Sequence, residues 1–178
     1  MLVLGKTNIR REALNCARGA RYVTTARLQV HGVARHGVPF AVIGGHAVNF
    51  HGFGRATEGV DVIWLRSEAS GAALFAALSE IDARYIGREI DPQSGLEKTY
   101  PVTPARIHSS PLLMLWTRHG FLDLFDYVPS FPAEDVERVL SDSIKSGELR
   151  YVSLPLLRQM KRASGRTKDL LDLEQLPE

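Results

Sequence analysis

Two aspartates stand alone inside apolar runs, and chemistry is to be sought there first. Asp61 interrupts residues 60–65, VDVIWL, and Asp123 lies in residues 121–128, FLDLFDYV. A carboxylate among apolar strand residues is costly unless it is paired, hydrogen-bonded or bound to a metal. Each is therefore a candidate cation ligand, with a neighbouring arginine or backbone donors as the structural alternative for Asp123. Gly44 and Gly45 end the apolar run 40–43 abruptly, which predicts a buried strand entering a tight turn with a helix at once behind it. Such a strand, turn and helix start leave backbone N–H groups free to face an anion, and the helix dipole adds to the attraction. On its own a Gly-Gly pair is more often merely a turn. Lys161, Arg162, Arg166 and Lys168 crowd around a helix break at Ser164-Gly165. That cluster suits a patch that meets phosphates and equally a solvated basic face.

The order of these parts resembles the minimal nucleotidyltransferases of the polymerase beta-like superfamily, including the toxin and antitoxin branches of bacterial defence systems. The resemblance covers most of the chain. In that family a strand runs into Gly-Gly or Gly-Ser, a short helix ends in a His-Gly turn, and Arg-x-Thr leads into a strand bearing Asp-x-Asp. Here these are Gly44-Gly45, residues 47–52, Arg55-Ala56-Thr57 and Gly59-Val60-Asp61. A third family carboxylate on a later strand matches Leu122-Asp123-Leu124. The family's tail, a lysine-bearing helix and then Arg-x-Lys-Asp-x-x-Asp, matches Lys161 and residues 166–172, RTKDLLD.

The resemblance implies transfer of a nucleoside monophosphate from a nucleoside triphosphate to a hydroxyl of a protein, RNA or small molecule, with release of pyrophosphate. It implies magnesium held by Asp61 and Asp123, with Asp123 the better placed to help deprotonate the acceptor. Gly44 and Gly45 would let backbone amides approach the triphosphate, Arg55, Lys161 or Lys168 would neutralise it, and Thr57 would join the nucleotide site. One position departs from the pattern: the first aspartate of Asp-x-Asp is Gly59. Residues two apart on a strand share a face, so a pair of acids there would sit side by side over two ions. Glu58 points to the other side unless a bulge at the glycine brings it round. The expectation is a weakened magnesium site, which Gly59→Asp would repair without harm to folding. Gly45 replaced by a bulky residue would block triphosphate binding without unfolding the chain. The alternative reading is a catalytically weak module that binds nucleotide or a partner protein, possibly one half of a toxin and antitoxin pair.

Positioning these groups calls for an α+β fold, a mixed sheet packed against helices with a helical C-terminal end from about residue 153. With 178 residues, 44% hydrophobic and 24% charged, the chain suits one globular domain over 24–178 behind an N-terminal extension of 1–23. Within that extension, residues 10–21 suit a basic helix with Arg10, Arg11, Arg18 and Arg21 on its outer side, either a solvated face or a nucleic-acid contact. A formal charge of +2 does not announce a nucleic-acid binder. The single cysteine, Cys16, forms no internal disulfide, which fits a reducing cytoplasm. No apolar run is long enough to span a bilayer, so no membrane partner is expected.

Thr25 is expected to cap a helix over 26–36 and Ser67 one reaching about residue 81. Residues 84–86 suggest a poor strand, 99–104 an extended loop, and 112–128 a hairpin turning at Gly120. A short helix over 132–140 and a strand over 147–152 follow. Ser153 and Thr167 are the expected caps of the last two helices. In the second of these Asp169 favours the positive end of the helix dipole, so Asp169 and Asp172 read as structural.

Overall fold

The computed structural model describes residues 21–131 and 135–177, with side chains from residue 27. Residues 10–20 of the expected basic helix, Cys16 within them, and residues 132–134 of the expected 132–140 helix lie outside the described residues, and Arg21 belongs to the first described helix. Eight strands form one mixed sheet among these residues: β1 (Phe40–Ile43), β2 (Gly59–Trp64), β3 (Arg84–Ile90), β4 (Glu97–Pro101), β5 (Leu112–Thr117), β6 (Gly120–Phe125), β7 (Ile144–Ser146) and β8 (Leu149–Tyr151). Their order across the sheet is β4-β3-β5-β6-β2-β1-β8-β7. The β2–β6 and β1–β8 pairs are parallel and the rest antiparallel.

Among the described residues seven helices accompany the sheet: α1 (Arg21–Arg35), α2 (Gly44–Phe50), α3 (Glu68–Glu80), α4 (Pro104–Ser109), α5 (Val136–Ser141), α6 (Leu154–Ser164) and α7 (Thr167–Gln175). Strand alternation divides the core into two layers. Phe40, Val42, Val60, Val62, Trp64, Leu113, Leu115, Leu122 and Leu124 face α1, α3 and α4, meeting Val30, Val33, Leu74, Leu78 and Ile107. Ile43 and Ile63 face the other way, toward Ala47 and Val48 of α2, Val139 of α5 and Leu157 and Met160 of α6. Asp61 and Asp123 belong to this second face, because each is an even number of residues from Ile63 or Phe125 on its own strand. The C-terminal helices are thus packed on the same side as both aspartates.

Several local expectations are revised. Helix α1 is already under way at Arg21, so Thr25 lies inside it and does not cap it. The supposed loop at 99–104 is strand β4 followed by α4: Pro101 ends an edge strand, and Pro104 occupies a first helical turn, where a missing N–H costs nothing. The poor strand is seven residues long. Residues 144–151 form a hairpin, β7 and β8, instead of a single strand. Ser67 does cap α3, in a reciprocal capping box with Ser70. Ser153 stands at the N-cap of α6 without a side-chain bond, and Arg166 takes the cap position expected for Thr167.

Candidate functional site

The parallel pairing of β2 with β6 sets Asp61 directly beside Asp123, one strand spacing of about 4.8 Å away. They share a face, Asp61 half-buried and Asp123 only 6% exposed. On the other side of Asp61, the antiparallel partner is Ile43, the last residue before the Gly-Gly turn. The chain leaves β1 with Ile43 as the N-cap of α2, so the two glycines are the helix's own first residues. Gly44 has φ of 63° and lies so close to Asp61 that a Cβ there would sit 2.1 Å from its Oδ2. Only glycine satisfies both demands. At Gly45 a Cβ would fall 2.6 Å from Thr57 Oγ1 and 3.2 Å from Arg55 Nη1, so this glycine makes room for the Arg-x-Thr segment. A bulky residue at 45 therefore displaces Thr57, and the expectation that it leaves the fold untouched is withdrawn.

The Arg-x-Thr segment is fastened on three sides. Asn49 of α2 donates to the Arg55 carbonyl and accepts from the Arg55 amide at 3.0 and 2.9 Å. Thr57 Oγ1 donates to the Gly59 carbonyl at 3.3 Å. The Arg55 guanidinium reaches across to α7, donating to both oxygens of Asp172 at 2.5 and 2.8 Å. This fork-to-fork pair is the strongest geometry available to two such groups, and it raises the Arg55 pKa further above its ordinary value, chiefly through the Asp172 hydrogen bond.

Asp172 is also held by Lys161 at 2.7 Å, and Lys161 in turn binds Asp169 at 2.6 Å. Asp169 further accepts from Ser164 at 2.7 Å and Arg166 at 2.5 Å. Asp169, Asp172 and Lys161 are all buried. Burial pushes the Asp169 carboxyl up, but hydrogen bonds from Lys161, Arg166 and Ser164 outweigh it and bring the pKa down to about 2. Two of the cations assigned to a triphosphate, Arg55 and Lys161, thus already have carboxylate partners. Lys168 is exposed and does not join this chain of ion pairs.

His46, the third residue of α2, sits within electrostatic reach of Asp61 and Arg55. Burial lowers its pKa, Asp61 opposes that and Arg55 reinforces it, so the imidazole is neutral at pH 7. Neither His46 nor Asn49 carried a signal in the sequence, since each acts through a loop that comes back onto α2. Asp126, just past the end of β6, is paired with Arg66 at 2.5 Å.

The first-carboxylate position tells a sharper story than the sequence did. Gly59 pairs with Phe121, and a Cβ on it would lie 2.8 Å from the Phe121 Cβ and 2.9 Å from its carbonyl oxygen. A side chain at 59 would therefore crowd the backbone of β6, so the expectation that Gly59→Asp leaves the fold unharmed is withdrawn. The β2–β6 register runs residue by residue from Gly59 to Ile63, so the bulge that would bring Glu58 beside Asp61 is not formed. Among the described residues no three His, Cys, Asp or Glu side chains are grouped so as to hold a metal ion. The residues present do not fit the pair of magnesium ions that the resemblance implies.

A separate groove of about 530 Å³ lies between β3, β4 and α4, lined by Tyr85, Tyr100, Thr103, Arg106 and Ser109. Its Tyr85 ring stacks on Tyr100 and carries the Arg106 guanidinium 4.5 Å from its centroid. Tyr85 packs against the α1–α3 layer, so this groove is on the opposite side of the sheet from the aspartates. No helix among the described residues is long and apolar enough to cross a membrane.

No family model matches the chain, and no curated protein matches it. Among solved structures it is similar to JHP933 from Helicobacter pylori, at 15% identity and a TM-score of 0.49. That similarity covers 92% of this chain, which spans 65% of the other's length.

Proposed function

We propose that this chain is a nucleotidyltransferase-like protein that takes up a nucleoside triphosphate at the Gly44-Gly45 turn and transfers its nucleoside monophosphate slowly, if an acceptor hydroxyl is supplied. The observation that carries this reading is the side-by-side placement of Asp61 and Asp123 on the face where the Gly-Gly turn opens. In the reaction the acceptor oxygen bonds to the α-phosphorus, the α–β bridging P–O bond breaks, and pyrophosphate leaves. Asp123 accepts the acceptor's proton, Asp61 lies against the Gly44 turn along which the phosphates run, and Thr57 and Arg55 back that turn from the other side. Magnesium would supply charge neutralisation at the phosphoryl group; toward it β2 and β6 offer Asp61 and Asp123, an incomplete set for a pair of ions.

A specific observation favours the alternative, a module that binds nucleotide or a partner protein without turnover. Arg55, Lys161 and Arg166 are matched by Asp169 and Asp172 in ion pairs, and Asp61 and Asp123 add two further carboxylates. Such a site gives little electrostatic reward for a highly charged transition state. Calorimetric titration with a triphosphate, its monophosphate and its nucleoside tests the shared part of both readings. A triphosphate preference of about tenfold or more, about 1.4 kcal/mol, is expected; equal or absent binding refutes the transferase and the nucleotide-binding module, and leaves only a partner-binding module. Transfer of label from the α-position, lost in Asp123→Asn while binding persists, then marks the enzyme. Binding with no transfer by the wild type marks the module.

A further inference from the structure

We infer that Phe121 closes the first-carboxylate position, so that this face does not assemble a pair of ions and Gly59→Asp cannot create one. The inference takes from the nucleotidyltransferase reading only what that position would hold. The resemblance implies two ions held by two carboxylates two residues apart on one face of a strand, with a third carboxylate from the neighbouring strand. Here β2 offers Asp61 alone.

The gap at Gly59 is not open space that a side chain could enter. A Cβ there meets the Cβ of Phe121 at 2.8 Å and its carbonyl oxygen at 2.9 Å, atoms fixed to the backbone of β6, which no rotamer change can move. Relief would require β2 and β6 to part, yet their ladder is regular through Gly59↔Phe121 and continues to Ile63↔Phe125. Nor can β6 yield outward. Phe121 is 4% exposed and its ring meets Trp116 of β5 edge-on at 5.0 Å and 69°, while Trp116 and Phe121 are also register partners. Glycine at 59 is thus the complement of a close strand approach, and not merely an acid deleted from an otherwise intact centre.

Manganese binding read by electron paramagnetic resonance, with a non-hydrolysable triphosphate present, gives the ion count, and thermal melting gives the steric arm. The wild type is expected to bind fewer than two ions per chain, and Gly59→Asp to add none. Gly59→Ala, which adds only the offending carbon, is expected to melt about 5 °C or more below Gly54→Ala, because nothing lies within 4 Å of a Cβ at Gly54. Should Gly59→Asp fail to fold, the wild-type ion count and the two alanine melts still decide the matter. Two ions per wild-type chain, a wild-type melting temperature for Gly59→Ala, or an extra ion in a folded Gly59→Asp would overturn the inference. A failure to bind triphosphate at all refutes the proposed function instead, and leaves the alanine melts to judge this point alone.

Discussion

Single residues decide most of what this face can do, and Lys161 shows how. Its ammonium is buried between Asp169 and Asp172, so removing it strands two carboxylates in a place with little water. Breaking a buried pair from one side typically costs about 3–5 kcal/mol. Because Arg55, Arg166 and Ser164 still hold the aspartates, Lys161→Met is expected near the low end, about 3 kcal/mol in a urea unfolding titration; a loss under about 0.5 kcal/mol, the usual range for surface changes, would show the network to be idle. Gly45→Val belongs to the same scale: it should lower stability by pushing Thr57 aside, and any loss of nucleotide binding in it reports that displacement as well as a blocked cradle. Asp61, Asp123 and the Gly-Gly turn were legible in the sequence because each breaks an apolar run, and alternation then fixes its face. The approach of Phe121 to Gly59 was not legible, since it depends on how tightly two strands 62 positions apart are drawn together. Nor was the occupation of Arg55, whose partner lies 117 residues away.

At the scale of elements, α6 and α7 carry a network of paired charges on the same side of the sheet as Asp61 and Asp123. They are joined at Gly165, whose φ of 61° ends α6. The acid sensitivity of this pair follows from Asp169. A carboxyl whose folded pKa is about 2 against an unfolded value of about 3.9 adds its full stabilisation above pH 4 and loses it as pH falls toward 2. The shift is worth about 2–3 kcal/mol at neutral pH. Urea titrations from pH 5 down to pH 2 should therefore show a steeper fall for the wild type than for Asp169→Asn, which starts lower and lacks that limb; parallel curves would contradict the assignment. The C-terminal helices, the Ser67 cap and the β5–β6 hairpin could be read ahead of the structure from breaks, caps and alternation. β4 and α4 could not, because Pro101 and Pro104 look like loop residues when the edge strand and the helix start that tolerate them are unseen.

For the whole molecule, the mixed sheet separates two surfaces with different prospects. One is sealed by α1, α3 and α4 and carries the Tyr85–Tyr100 groove at its margin. The other carries Asp61, Asp123, the start of α2 and the charge network of α6 and α7. The fold places the expected site residues on the second surface with two qualifications: Lys168 stands apart, and Arg55 and Lys161 arrive already paired. A nucleoside triphosphate, on the function proposed above, binds on this second surface. Hydrogen–deuterium exchange of the wild-type chain, with and without saturating triphosphate, reads that binding out segment by segment. Slowed exchange confined to α2, residues 55–59 and the α6–α7 pair is expected, whereas unchanged exchange there, or protection restricted to residues 85–109 around the opposite groove, would rule it out.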